Sequence, residues 1–424
     1  MKQQDQTPEA QAKYSSEHDK WAGLADGFMF DVGSAYAHFE QVKDKRKAQG
    51  LQYPLAAVLT MGVLGKLSGE NTPAGIADWV RHRGEWLSGC LGLKRRIVKK
   101  TGQLKMPCAG SYSRILSKGM DADDLEKVTQ AFFGLQSAES SVVEICIDGK
   151  KIRGTITTDK PNGEYLLAAY LPGVGSGCGV VLMQVLIKAG EGELTVAPTL
   201  LKALDLQGKV VIGDALFAQR NLSIQIVQAK GDYVWKVKGN QETLEADIAR
   251  VFAPDPPAMP GFSSPKKDFR STTQTSAGHG RIETRTLTTS SLLKGYSDWP
   301  YLEQVFKYQC IVIEKKTGTR TQDVCFGITS LSASEADPHR LLGIVRGYWR
   351  IENQLHYRRD VFLNEDHCGL RLPSLAHVFA ILNNWVLGLF ALSGGGNFAA
   401  AQRLFNAQPN LALNLLLRAE PTFE

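Results

Sequence analysis

Three acidic residues stand where the local pattern changes: Asp148 in Ser141-Val-Val-Glu-Ile-Cys-Ile-Asp-Gly-Lys-Lys-Ile-Arg-Gly-Thr155, Asp214 in Val210-Val-Ile-Gly-Asp-Ala-Leu-Phe217, and Glu352 in Tyr348-Trp-Arg-Ile-Glu-Asn-Gln-Leu-His356. Two end apolar β-type runs and the third lies on a helical pattern. Carboxylates gathered from separate elements make a hard, all-oxygen site that suits magnesium or manganese and needs no cysteine or histidine ligand. A pair of such ions about 3.5–4 Å apart supports in-line displacement at a phosphodiester, with water or a 3′-hydroxyl as nucleophile. Asp148, Asp214 and Glu352 are therefore the candidate catalytic residues and the candidate ligands of two divalent ions. Singly, each has a plainer reading: a strand-terminal Asp is often a turn residue or helix cap, and Glu352 could pair with Arg350 or Arg359. Their order, in suitable elements, favours the site. Asp360, Glu365 and Asp366 read as supporting acids.

The elements around them follow from periodicity. Residues 1–30 are polar. From His38 to Phe133 the apolar spacing is helical, and Asn71-Thr-Pro73 is a helix start with proline where its missing amide costs nothing. Short β-rich runs come next, at Val142–Ile147, Glu164–Tyr170, Val180–Ile187, Lys209–Ile212 and Tyr233–Val237, with helical stretches at Ala197–Ala203 and Gln219–Ala229. A meander followed by alternation predicts a mixed α/β sheet. The sequence from Ala253 to Gly280 is polar and proline-rich, and strand patterns return at Arg281–Thr288, Tyr308–Glu314 and Val324–Ile328. Helix is predicted over His339–Arg359, behind Asp337-Pro, and over Ser374–Leu392. Val345, Tyr348, Glu352, His356 and Arg359 then share one helical face.

This divides the chain into a polar segment (1–30), a helical N-terminal domain (31–138), the first part of an α/β core (139–240), a β-rich insertion (241–335), core helices carrying Glu352 (336–395) and a helical tail (396–424).

Net charge is +6 and the pI is near 8.8, which permits a polyanionic partner without demanding one. Basic residues cluster at Lys94, Arg95, Arg96, Lys99 and Lys100, around Asp148 at Lys150, Lys151 and Arg153, and around Glu352 at Arg346, Arg350, Arg358 and Arg359. Phosphate is a ligand that cations and metal-bound carboxylates could share. The candidate DNA-contacting residues are Arg95, Arg96, Lys150, Lys151, Arg153, Lys236, Lys238, Asn240, His279, Arg281, Arg350, His356 and Arg359. His356 could assist proton transfer, touch phosphate or simply pack; His279-Gly-Arg281 could position a backbone or phosphate or be a hairpin turn; Trp235 reads as core, although it could stack on an unpaired base.

Cysteines 90, 108, 146, 178, 310, 325 and 368 are scattered without a C-x-x-C pair, which suggests neither a disulfide framework nor zinc, and Cys146 reads as a buried thiol. The start is polar and no unbroken apolar stretch reaches about 18 residues, so a cytoplasmic location, with no membrane partner, is expected.

Several motifs recur in a familiar order. Phe39 with Arg46, Tyr53-Pro-Leu, Leu67-Ser-Gly, Ile76-Ala-x-Trp79 and the Pro107 to Arg114 stretch precede Asp148-Gly-Lys-x2-Arg-Gly, Gly213-Asp-Ala, Tyr233-x-Trp-Lys-Val-Lys-Gly-Asn-Gln241, His279-Gly-Arg-Ile-Glu283 and Trp349-x-Ile-Glu-Asn-x-Leu-His356. Over most of its length the chain resembles the DDE insertion-sequence transposases, in the ISAs-type and H-repeat-associated group. The resemblance implies a ribonuclease-H-like core with a β-rich insertion before the last catalytic helix. It implies that Asp148, Asp214 and Glu352 hold two magnesium ions during cleavage at element ends and transfer to target DNA, in a nucleoid-associated dimer or larger complex on inverted repeats. Related transposases carry Tyr-x2-Arg-x3-Glu-x6-Lys/Arg around the Glu; here those places hold Val345, Tyr348, Glu352 and Arg359, so only the last basic position is kept. A structure-selective nuclease on the same fold, or an inactive, host-retained DNA-binding relative, are the competing expectations.

Overall fold

The computed structural model describes residues 21–23, 29–48, 51–100, 102–138, 144–173, 179–254 and 267–418. The polar residues 1–20, Ser141 to Val143, Cys178 and residues 255–266 of the proline-rich stretch lie outside them.

A two-strand ribbon, β1 (Trp21–Gly23) with β2 (Met29–Asp31), leads into helices α1 (Ala35–Glu40), α2 (Leu55–Leu67), α3 (Pro73–His82), α4 (Gly84–Cys90), α5 (Ala109–Lys118) and α6 (Ala122–Ala138). The predicted start at Asn71-Thr-Pro73 is real: Thr72 caps α3 by accepting from the Gly75 amide at 3.0 Å, and Pro73 opens the helix.

Nine strands then form one mixed sheet: β3 (Glu144–Ile152), β4 (Glu164–Leu171), β5 (Val180–Ile187), β6 (Val210–Gly213), β7 (Asp232–Val237), β8 (Arg270–Gly278), β9 (Arg281–Ser290), β10 (Gln304–Glu314) and β11 (Arg320–Thr329). Their spatial order is β5-β4-β3-β6-β7-β11-β10-β9-β8. β3, β4 and β5 are the expected antiparallel meander, while β6 and β7 run parallel to β3. The later strands do not form a separate sheet. They extend the same one, because β11 pairs with β7 in the register Phe326↔Val237 to Thr329↔Val234.

Two expectations are corrected. β3 does not end at Asp148; it continues to Ile152, paired with β4, and it is only the parallel partner β6 that stops, after Cys146↔Ile212. Arg270–Gly278, within the polar, proline-rich stretch where no strand is expected, is edge strand β8, whose serines and threonines pair with those of β9 as Ser271–Thr288, Thr273–Thr286 and Thr275–Thr284. An exposed edge needs no apolar alternation, so the strand pattern was absent. The turn between them is His279-Gly280 with φ of 48° and 76°, the two left-handed residues that a tight hairpin requires.

Both sheet faces are covered. On one pack α7 (Glu193–Lys202), α8 (Arg220–Gln228) and α9 (Glu242–Val251); on the other lie α10 (Pro338–Arg350) and the long α12 (Pro373–Leu392), which also packs against the N-terminal helices. α12 is apolar and long enough to cross a membrane, but it is buried along most of its length inside the protein. Trp385 on α12 sits among Phe39, Phe132 and Phe133 with ring centroids 4.5 to 5.0 Å away, and its indole N–H donates to Thr129 Oγ1 at 2.7 Å. Gly388 is required there, since a Cβ would fall 2.3 Å from the Phe133 ring. Two short helices, α13 (Phe398–Ala407) and α14 (Pro409–Leu417), close the described chain.

Candidate active site

The helical pattern predicted over His339–Arg359 is divided. α10 gives way at Ile351–His356 to a π-helical turn, and α11 (Tyr357–Val361) resumes the α geometry. Wider turns of this kind redirect the side chains they carry and concentrate at functional sites. This one holds both Glu352 and His356.

Strand alternation explains the other half of the site. Ile145 and Ile147 enter the core beneath α7 and α8, whereas Cys146 packs on the α10 side, so Asp148 faces α10 too. There it accepts hydrogen bonds from Tyr348 Oη to Oδ1 and His356 Nε2 to Oδ2, each 3.1 Å. Asp148 is 14% exposed and His356 7%, and the other imidazole nitrogen, Nδ1, is buried with no hydrogen-bond partner among the described residues. Asp148, Glu352 and His356 each offer a ligand atom within 4.8 Å of the others.

Asp214 ends β6 and caps the turn Ala215–Phe217, its Oδ1 accepting from the Leu216 amide at 2.9 Å. The cap reading and the ligand reading thus coexist, since one oxygen suffices for the cap. Gly213 lets this turn pack: a Cβ would lie 2.8 Å from the Phe217 ring and 3.0 Å from that of Trp235. Asn240 donates to the Ala215 carbonyl at 2.6 Å and fixes the turn from the far side of β7. Asp214 lies outside the 4.8 Å group, but Asp148 acts on it electrostatically.

Burial raises the Asp214 carboxyl above the ordinary range, and Asp148 adds to the rise. Burial also raises Glu352, with Asp148 pushing the same way against the opposing influence of His356. A half-buried acid that the sequence did not reveal, Glu193 on the first turn of α7, is raised by burial and then by Asp148 and Asp214. Tyr348 is likewise pushed far up by burial and by Asp148. Clustered anions that disfavour one another's ionised forms, with an oxygen-rich donor set and one imidazole, fit a hard divalent cation.

The predicted cations divide. Lys150 is buried and bound to Asp360 at 2.6 and 2.7 Å, and the exposed Arg153 approaches Asp366 at 3.7 Å. Arg350 donates to the Gly173 carbonyl at 2.7 Å. Arg359 does not reach a surface phosphate: it is fully buried, its Nε and Nη2 gripping Glu365 at 2.8 to 3.0 Å. The π turn accounts for this, because it rotates Arg359 off the face a continuous α-helix would give it. Lys236 lies over the rings of Tyr348 and the exposed Trp349, at 4.9 and 5.5 Å. Lys151 lies over Tyr165, Lys238 is exposed beyond β7, Arg281 pairs with Glu283, and Arg95 pairs with Glu85 beside the exposed Arg96. Trp235 is core, its N–H donating to Ser223. Cys146 is a buried thiol, and Cys90, Cys108, Cys310, Cys325 and Cys368 are also free.

Comparison with known families agrees with this arrangement. A family described as transposase DDE domain matches residues 143–389, and its companion, described as DDE_Tnp_1-associated, matches residues 36–133. The chain belongs to the DDE transposase family. Relatives whose names include the word transposase are YncI of Escherichia coli O157:H7, 27% identical over 364 residues (84% of this chain, 87% of the relative), and the H repeat-associated YhhI of E. coli strain K12, 23% identical over 349 residues (81% and 86%). YncI of strain K12 is 30% identical over 257 residues, or 60% of this chain and 94% of the relative. Membership implies divalent-metal chemistry on DNA.

Proposed function

We propose that this transposase cleaves phosphodiester bonds at the ends of an insertion sequence and transfers the freed 3′ ends to target DNA, with Asp148, Asp214 and Glu352 as ligands of two magnesium or manganese ions. The observation that carries the reading is the approach of Asp148, Glu352 and His356 to within 4.8 Å, beside an Asp214 that already feels Asp148. The strands β5-β4-β3-β6-β7 serve as a ribonuclease-H-like core and β8 to β11 as the insertion. When bound, the ions supply activation of the attacking oxygen and stabilisation of the leaving one. The protein's part is to hold the ligands: Tyr348 and His356 fix both oxygens of Asp148, and the Leu216 amide fixes one of Asp214. His356, with Nε2 directed at Asp148, orients that carboxylate.

The DNA backbone runs past Lys151, Arg153, Lys236 and Lys238, while the exposed cluster Lys94 to Lys100 engages the terminal repeat in a dimer or larger assembly. Excision and joining from a plasmid carrying the gene's own flanking DNA test this reading. Metal-dependent joined products that vanish with Asp148→Ala support it. Cleavage without joining would make the protein a nuclease, and tight binding without reaction would make it a regulator.

A further inference from the structure

We infer that Glu193 is a fourth carboxylate of the divalent-cation site, reaching Asp148 and Asp214 through the gap that Gly149 leaves in β3. The inference rests on the metal-site reading above and extends it to a residue on the opposite face of the sheet.

The geometry begins with Gly149, next to Asp148. A Cβ built there would lie 1.8 Å from Glu193 Oε1 and 2.4 Å from its Cδ. The Glu193 carboxylate therefore fills the space that any other residue after Asp148 would occupy with its own side chain. Gly149 is an ordinary extended strand residue without positive φ, so its backbone does not call for glycine; the close approach does. Because alternate strand positions face opposite sides, Glu193 approaches β3 from the α7 side and Asp148 projects on the α10 side, flanking the strand at the point where β6 stops.

Charge supplies the second argument. Glu193 is half-buried, and both Asp148 and Asp214 bear on it, yet its carboxylate has neither a cation nor a hydrogen-bond donor among the described residues. An acid so placed is costly unless a positive ion joins the group. A purely structural role, a negative charge on the first turn of α7 facing the helix dipole, would be met by any acid and needs no burial against Gly149.

Mn²⁺ titration of the full-length protein without DNA, by calorimetry and electron paramagnetic resonance, tests the assignment on wild type, Glu193→Gln, Glu193→Asp, Gly149→Ala and Asp148→Asn. Glu193→Asp keeps the charge on α7 but shortens the reach, and melting in EDTA verifies folding of each variant. All three changes at positions 193 and 149 should lose one bound Mn²⁺ or weaken binding about 10–100-fold, the range for altered metal surroundings. Wild-type titrations from Glu193→Gln and Glu193→Asp, with binding lost in Asp148→Asn, would overturn the role of Glu193 alone. Equal titrations of wild type and Asp148→Asn, or no binding by either, would overturn the metal-site reading and this inference with it.

Discussion

Two clusters of charged side chains lie close together near α11, and they are built on opposite plans. Around Arg359 the buried polar groups are hydrogen-bonded to one another: Arg359 and Glu365 form a forked pair, Asn383 donates to Glu365 at 2.8 Å, and Lys66, whose ammonium burial pulls down to about 8, donates to the same Asn383 at 2.7 Å. Around Asp148 acids predominate; Asp214, Glu352 and Glu193 all have raised pKa values, whereas Arg359 holds Glu365 below the ordinary range despite its burial. The hydrogen-bonded network ties α2, α11 and α12 together. The cluster of acids carries a mutual repulsion that a bound cation would relieve.

The sharpest way to break the comparison is to remove one acid. Asp148→Asn or Asp214→Asn should lower strand cleavage at least about 10³-fold, a loss of several kcal/mol of transition-state stabilisation, while DNA binding persists. Near-wild-type cleavage by either variant would contradict the assignment of that residue. The corresponding change in the balanced cluster acts on folding. Arg359→Met leaves a carboxylate at Glu365 that is 3% exposed, and should cost about 3–5 kcal/mol in denaturant unfolding. The double variant Arg359→Met with Glu365→Leu should recover much of that loss.

The pH dependences should have opposite signs. For Glu365 the folded pKa is depressed, so its stabilisation is present above the unfolded pKa and is lost as pH falls through the folded value, below the ordinary glutamate range. For Asp214, Glu352 and Glu193 the folded values are raised, so their contribution is present below the unfolded pKa and is lost as pH rises through the folded value. Without metal, Asp214→Asn should therefore raise the melting temperature at neutral pH by on the order of a degree or two, and the difference should disappear as the carboxylates protonate. Mn²⁺ should stabilise wild type more than the variant. A lower melting temperature for Asp214→Asn in EDTA would mean that the cap to Leu216 outweighs the repulsion.

Much of this was legible from the chain. The apolar runs located β4 to β7 and the start of β3 within a few residues, because buried strands require them, and two of the three candidate carboxylates, Asp148 and Glu352, lie together. What periodicity could not carry was any event that leaves it intact. A π turn alters no residue type, so the burial of Arg359 was hidden. Glu193 follows Gly192 in a polar turn, and nothing nearby in sequence connects it to Gly149, some forty positions earlier. Strand β8 was missed because its exposed face is served by hydroxyl pairs instead of apolar contacts.

The smallest expected effect concerns charges that belong to neither cluster. Lys94, Arg95, Arg96, Lys99 and Lys100 are all exposed, and Arg95 pairs with the equally exposed Glu85. Exposed pairs of this kind contribute about 0–1 kcal/mol to stability, so Arg95→Glu with Arg96→Glu should leave unfolding almost unchanged. If the cluster lies on phosphate, the same change removes two released counterions and should make the slope of log affinity against log salt shallower by about two. The effect should be general across DNA sequences, because phosphate contacts position a protein without reading bases. An unchanged slope, measured on terminal-repeat and unrelated duplexes alike, would place the DNA elsewhere on the protein.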